Sequence, residues 1–598
     1  MDGHVHGRIS TIDEIILFCR ILKSLHYGLP TQFEAKFPQE AEIISWPREN
    51  AKEQTLLRRS WRHPAMKTQR DASSVPFSCS LIIHIKIHKT MKNIFNTIAL
   101  QKPKGNLFDL THDVKLSLRM GDLVPVFCMD CLPGDRVKIG AENVMRLAPM
   151  IAPLMHRVDV FCHYFFVPNR ILWGQWEQFI TGDYPNSSEG QSSDITPPFI
   201  TIGPDSGRYS KLLNYFGVPP FGNVDQNTDV NISALPFAAY AKIYDDYYRD
   251  QNMITQLIAP GDYAVASGDN TPNFTMLSTL RKRAWEHDYF TANLPFAQKG
   301  ANVSIPLTGS DVEVFQNAGP GGGNITATPG NIPYVQSNSD NPSIPADHLY
   351  ADTSTMTGTA TMNDLRRAEA LQKWLEANAR GGTRYTEHIK HMFGVFSSDK
   401  RLQRPEYITG SKSPIVISEV LNTTGTTDLP QGNMSGHGLG VTSGYQGSYF
   451  CEEHGWIIGI LSVLPKTAYQ QGMPKMFTRE SPLDFAWTQF ANIGEQQVSQ
   501  QEVYAYLSDP GTFGYLPRYS EYKYMPSRVA GDFQSTLDFW HMGRIFTEAP
   551  SLNESFISAD PTNRIFAVQD DTDNLWAHHL NRVTAFRLLP KYGTPRLG

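Results

Sequence analysis

The sequence predicts a mainly β protein of the antiparallel jelly-roll type, with long loop and helix insertions. Three observations carry this. In residues 113–126, apolar Val114, Leu116, Leu118 and Met120 alternate with polar or small positions, the period of a strand with one face on a core. Residues 157–168 are dense in β-branched and aromatic residues and close on Pro168, which suits a longer strand. The strand-like runs fall into two blocks, 110–170 and 410–598, with helices and loops between them. Two such blocks suit a jelly roll.

Taken in order, residues 91–110 are polar, with Lys92, Lys102 and Lys104 and no strand pattern, and read as a lead-in. After the first strand, Pro133-Gly134-Asp135 makes a turn into a second strand at 136–139. Trp173, Trp176 and Phe179, at spacing three, predict a short helix over 171–179. Residues 182–232 hold Pro197-Pro198 and Pro219-Pro220 among many Gly, Asn and Ser. They read as a long surface loop with one short helix at 209–216. Residues 235–252 predict a helix with Tyr240, Tyr244, Tyr247 and Tyr248 near one face, a stripe for a core or a subunit contact.

The clearest insertion is 309–361, with Gly319-Pro320-Gly321-Gly322-Gly323-Asn324, much Thr, Ser and Asn, and few large apolar groups. A helical segment is expected over 363–394. Asn363 is its expected cap, 364–380 its first helix, with a buried stripe of Leu365, Ala368, Leu371 or Gln372, and Leu375, and Gly381-Gly382 its stop. A second helix is expected at 386–393, then strands at 414–420, 456–464, 502–507 and 582–589.

Composition bounds the function. Charged residues are 19% and aromatics 11%, with 45 Gly and 40 Pro, the profile of a loop-rich β protein with extensive contact surface. The net charge of −6 gives no global basic field, so any nucleic-acid contact is local. Six cysteines are no disulfide framework at 598 residues. Cys128 and Cys131 have CxxC spacing, but no second pair exists and they precede a turn rather than opening a helix, so a structural role is expected. No stretch approaches the roughly 20 apolar residues that span a bilayer, so no membrane insertion is expected.

The chemistry search finds no catalytic residue, cofactor site or metal site. Glu387-His388-Ile389-Lys390-His391 spaces its histidines three apart, where a zinc helix needs four. Gly319 to Asn324 lacks the lysine and the flanking elements of a phosphate cradle, and no nucleophile-elbow motif occurs. Cations near rings remain: Arg281, Lys282 and Arg283 before Trp285, and Arg587 and Lys591 near Phe586 and Tyr592. These are candidate DNA contacts, because cations neutralise phosphates and rings stack on unpaired bases. A solvated face or salt links between subunits would use the same residues.

Several ordered motifs resemble the major capsid protein of Microviridae, in the gokushovirus-like branch of single-stranded DNA phages. They are Leu123-Val124-Pro125-Val126, Cys131-Leu132-Pro133-Gly134-Asp135, and Tyr164-Phe165-Phe166-Val167-Pro168-Asn169-Arg170 with Trp173. Next come Ala234-Leu235-Pro236-Phe237-Ala238-Ala239-Tyr240, Asp246-Tyr247-Tyr248-Arg249-Asp250, and His287-Asp288-Tyr289-Phe290-Thr291 running on to Leu294-Pro295-Phe296-Ala297-Gln298-Lys299-Gly300. The last are Ala379-Arg380-Gly381-Gly382-Thr383-Arg384-Tyr385 and Arg404-Pro405-Glu406-Tyr407. The resemblance implies an eight-stranded viral-coat jelly roll over 91–598 and a structural subunit of a T=1 icosahedral shell around single-stranded DNA. The shell is assembled in the host bacterial cytoplasm with internal scaffolding and minor capsid or DNA pilot proteins. It also implies that the insertion projects outward toward a host cell-surface receptor, with Gly321, Asn324 and Tyr334 as candidate recognition residues. Residues 1–90 fall outside the resemblance. They are a genuine arm or an extension upstream of a start at Met91, and the resemblance favours the second. A stand-alone carbohydrate-binding jelly roll, or a hydrolase on a β scaffold, remains the contrasting reading.

Overall fold

A computed structural model of the chain describes residues 104–593, apart from 183–194, 205, 221–228, 305–313, 317–348, 352–360, 422, 424–433 and 571. Strands β1 (Asn106–Asp109), β2 (His112–Leu118), β3 (Val124–Cys131), β4 (Arg136–Leu147) and β5 (Val158–Pro168) come first. The middle of the chain holds β6 (Phe199–Ile202), β7 (Val230–Ser233), β8 (Val314–Gln316) and β9 (Leu349–Ala351). The second block holds β10 (Glu406–Pro414), β11 (Val416–Leu421), β12 (Met434–Phe450), β13 (Gly455–Pro465), β14 (Glu495–Ser499), β15 (Thr512–Pro517) and β16 (Leu575–Arg587). All the strand pairings are antiparallel.

Two sheets matter most. One runs β1-β16-β4-β12-β11, with β2 also on β16; the other runs β10-β5-β13-β3. Their facing sides share one core, from Leu118, Val137, Ile139, Met145, Leu575 and Val583 on the first to Val126, Val160, Tyr164, Phe166, Ile457 and Leu461 on the second. The period of two in each strand selects which residues enter it.

The second sheet is buried on both sides. Along β5 nearly every residue is buried, because alternate residues serve different cores. Val158, Val160, Tyr164 and Phe166 face the first sheet, while Phe165 and Val167 face a second core. That core packs helix α1 (Leu235–Ile243) against β5 and β13 through Phe237, Ala238, Tyr240 and Ile243. Strand β13 divides in the same way, with Ile457, Leu461 and Val463 on one side and Ile458 and Ile460 on the other. Such two-sided burial turns alternation into a continuous apolar run. Among the described residues nothing covers the outer face of the first sheet. Along β16, Trp576, His578, Arg582 and Phe586 are exposed, whereas Ala577, His579, Val583 and Ala585 are buried.

Several expectations need correction. The 91–110 lead-in contains β1, whose pattern comes from pairing with β16 rather than from its own sequence. The 171–179 helix is two short helices, Asn169–Leu172 and Trp176–Thr181. The 182–232 loop also contains the β6–β7 pair. The 502–507 strand is absent; a 3-10 turn, Gln500–Glu502, stands there, capped by Ser499 and Glu502. Helix α2 (Met362–Gly381) is capped by Thr361 with Asp364 in a capping box, not by Asn363. Only Leu375, Asn378 and Ala379 of α2 are buried, so the expected stripe at Leu365 and Leu371 is uncovered. Helix α3 (Tyr385–Phe393) stands where a second helix is expected.

Two predictions follow from this packing. Phe166→Ala should destabilise by about 3–5 kcal/mol in chemical denaturation, the cost of a cavity between the sheets. Val144→Ala on the bare face should stay within about 0.5 kcal/mol, and comparable losses would contradict the one-sided core. The second concerns pH. Burial pushes His163 and His579 each down to about 4. Their neutral forms therefore stabilise fully above about pH 6.5, and that stability is lost as pH falls toward about 4. Burial pushes the Asp122 carboxyl up to about 6, so its contribution has the opposite slope, lost as pH rises through about 6. The two histidines therefore supply a component of stability that falls on acidification from about pH 7 to about pH 5, read as the difference between the wild-type chain and a histidine variant. His163→Gln should flatten that fall by on the order of 2 kcal/mol; an unchanged profile in urea titrations would refute the assignment.

Candidate functional site

The separated sequence motifs converge on one structural joint. Helix α1 runs into a π turn at Tyr244–Tyr248. Its Asp245 carboxylate pairs with Arg249 at 2.6 Å, both buried. Arg384 donates from Nη2 to the Asp245 carbonyl at 3.0 Å and the Arg249 carbonyl at 2.8 Å. Arg404 donates from Nη2 to the Asp246 carbonyl at 2.9 Å and lies 4.9 Å from the Tyr247 ring centroid. The Tyr247 hydroxyl donates to Asp399 at 2.8 Å and the Pro405 carbonyl at 2.6 Å. The two arginines thus satisfy carbonyls that the irregular turn leaves open. Gly382 has φ +87°, and a Cβ there would collide with the Glu387 carboxylate.

Residues 287–291 serve a second joint. Asp288 accepts from the Phe290 N–H at 2.8 Å, the Thr291 N–H at 2.7 Å and the Tyr469 hydroxyl at 2.8 Å. The Tyr289 hydroxyl donates to Glu502 at 2.8 Å. Burial raises both phenols, and the Arg544 guanidinium sits 4.1 Å from the Phe556 ring centroid. These titratable groups are spent on one another, so the cluster anchors the 500–557 segment instead of presenting a reactive group.

Groups that could do chemistry are masked in the same way. Burial pushes the Cys128 and Cys162 thiols each up to about 12. Cys131 is raised by its contact with Cys451 and by burial. None is a thiolate near neutral pH. His391 shares Nδ1 with the Glu387 carbonyl at 2.8 Å, and the His388 ring lies 5.2 Å away. Among the described residues no group of three or more His, Cys, Asp or Glu is placed to hold a metal. An open groove of about 690 Å³ lies along β2, and another of about 680 Å³ lies beside the π turn. Asp573 in the first is paired with Lys211, and Asp246 in the second with Lys242.

The residues nominated for DNA separate into partly buried arginines and exposed lysines. Arg281 donates to the Met276 carbonyl at 3.0 Å. Arg283 lies 3.9 Å from the Phe161 ring centroid and donates to Ser462 at 2.9 Å. Arg587 pairs with Asp135 at 3.1 Å and donates to the Asp130 carbonyl at 2.6 Å. Lys282 is exposed and pairs with Asp560 at 2.6 Å, while Lys591 is exposed beside Tyr592. Gly321, Asn324 and Tyr334 lie outside the described residues. Sequence reasoning missed the exposed cations of β4, Arg136, Lys138 and Arg146. The signal was present, since they occupy the polar positions of an alternating run.

The model of the capsid protein (F protein) family matches residues 99–597. Capsid protein VP1 of Bdellovibrio phage phiMH2K is 36% identical over 521 residues, covering 82% of this chain and 94% of that protein. VP1 of Chlamydia phage 1 is 32% identical over 602 residues, covering 86% and 99%. VP1 of Spiroplasma virus 4 is 28% identical over 532 residues, covering 82% and 94%. No helix among the described residues is long and apolar enough to cross a membrane. A match over nearly the whole antiparallel frame, with relatives aligned almost end to end, establishes that the chain belongs to the capsid protein (F protein) family, as a structural virion protein of the Microviridae.

Proposed function

We propose that the chain folds as an eight-stranded jelly roll and assembles with copies of itself into a small T=1 icosahedral shell enclosing single-stranded DNA. Strand order is the observation that carries the fold reading. Strands β2, β16, β4 and β12 face β10, β5, β13 and β3. The chain changes sheets at every step of that series except between β5 and β10, the alternation expected of two Greek keys. Strands β1 and β11 then extend the edges. In this reading 91–598 is the coat domain. It assembles in the host bacterial cytoplasm with scaffolding and minor capsid or DNA pilot proteins.

Contact to the packaged strand falls on exposed cations such as Lys282 and Lys591 more than on Arg281, Arg283 and Arg587, whose guanidinium groups serve the subunit itself. The insertion at 309–361 is the proposed host-contact element. Its few large apolar groups contribute little burial at ~25 cal/mol per Å², and its glycines raise the cost of ordering it.

Electron microscopy of the chain co-expressed with its scaffolding partner should reveal uniform closed shells; a small stable oligomer would instead favour a stand-alone lectin. Replacing 310–354 by a short Gly/Ser linker should leave shells intact and lower adsorption to host cells at least tenfold. Loss of soluble subunit would make the insertion part of the fold, and normal adsorption would remove its receptor role.

A further inference from the structure

The bare face of the six-stranded sheet is patterned in rows. Directly paired residues share a face, so the registers define which side chains lie side by side. One row joins Phe586, Arg136 and Phe450, and the Arg136 guanidinium lies 5.6 Å from the Phe450 ring centroid. Two residues further along β4, Lys138 stands between Thr584 and Ser448. At the other end Arg146 stands between Trp576 and Leu439, and Lys115 stands beside His578. Trp576 is 49% exposed and Phe450 is 48% exposed.

Each carboxylate on this face has a partner among the described residues. Glu142 pairs with Arg582 at 2.9 Å, Asp113 lies 3.3 Å from the ring of His578, and Asp109 accepts from the Thr111 N–H at 3.1 Å. Among the described residues Lys115, Arg136, Lys138, Arg146 and Arg582 stand on this face against Asp109, Asp113 and Glu142, a positive excess in a chain whose net charge is −6. Cations alone would fit any polyanion. Exposed rings interleaved with them at both ends fit a polyanion that also carries flat aromatic faces. The opposite sheet cannot offer such a surface, because α1 and its neighbours cover its outer side.

We propose that the outer face of the six-stranded sheet binds unpaired nucleic acid, with Lys115, Arg136, Lys138 and Arg146 on phosphates and Trp576 and Phe450 as stacking platforms. This deepens the packaging reading above and rests on it.

The test uses the full-length chain and a fluorescent oligothymidylate, titrated at several salt concentrations. The wild-type chain should bind with a salt-dependent affinity that polyglutamate, an anion without bases, competes only weakly. Lys115→Gln, Lys138→Gln and Arg146→Gln together should lower the slope of log affinity against log salt by about 2, since each phosphate contact on a single strand contributes about 0.7. Trp576→Leu should weaken binding about tenfold and leave the slope unchanged, because it removes stacking and no charge. It also tests the face separately should the triple variant fold poorly. Wild-type binding with both variants unaffected would overturn the face assignment and leave packaging standing. Equal competition by polyglutamate would reduce the surface to a general anion patch and overturn the stacking role. A wild-type chain that binds no oligothymidylate at low salt would overturn both readings.

Discussion

The two-sided burial of β5 and β13 is the constraint on which the rest of the subunit depends. Each strand must fill a core on both faces, so a slip of one residue would exchange the two sets of side chains. Close fitting fixes the register. Gly459 lies opposite Tyr164, and a Cβ there would meet the tyrosine ring and the Phe127 Cβ. The Tyr164 hydroxyl then crosses to the other sheet, donating to Asn581 Oδ1 at 3.1 Å, while Asn581 Nδ2 donates back to the Val126 carbonyl at 2.9 Å. A satisfied polar link inside an apolar core specifies one alignment of the two sheets, because a shifted alignment would strand its buried atoms.

Everything on the covered side is built outward from that pair. Phe165 packs under Tyr247 at a ring separation of 4.8 Å, so the π turn sits on β5. Arg384 and Arg404, from distant parts of the chain, close on the same turn. Helix α2 continues from this joint through Leu375 and Ala379, and Arg380 reaches Glu495. Motifs separated by more than a hundred residues are therefore parts of one mechanical unit. Their carboxylates, tyrosines and arginines hold irregular backbone against the sheet.

The strands that could be read from the sequence are those whose pattern is self-sufficient. Residues 112–118 alternate cleanly, and 158–168 and 455–465 are apolar on both sides, so periodicity and composition locate them. Strand β1 and much of β10 depend on their partners for definition and carry no such signal. Residues 502–507 have strand composition, but the Ser499–Glu502 cap and the Tyr289–Glu502 bond hold the chain in a tight turn. The arginines at 281, 283 and 587 have the composition of a phosphate contact, and only three-dimensional packing reveals Phe161, Ser462 and Asp135 as their partners. The cations of β4 were legible as an alternating polar set, but their excess over carboxylates emerges only once pairing brings β2, β4, β12 and β16 side by side.

The mismatches between pattern and burial fall in a particular place. Helix α2 carries an apolar stripe from Leu365 to Leu375, yet only its last turns are buried, leaving Leu365, Leu371 and Trp374 each nearly half exposed. Val416, Leu439 and Val441 project from the bare sheet face in the same way. Each of these side chains stays in water in the folded chain and so withholds the roughly 1.5–3 kcal/mol that full burial would contribute. A shell subunit completes part of its burial against other molecules, so a sequence shaped for the assembled state reads as inconsistent in a single copy. Agreement between local pattern and burial marks the fold itself, whereas the stripe of α2 and the apolar side chains of the outer sheet face are surface that the fold alone leaves uncovered.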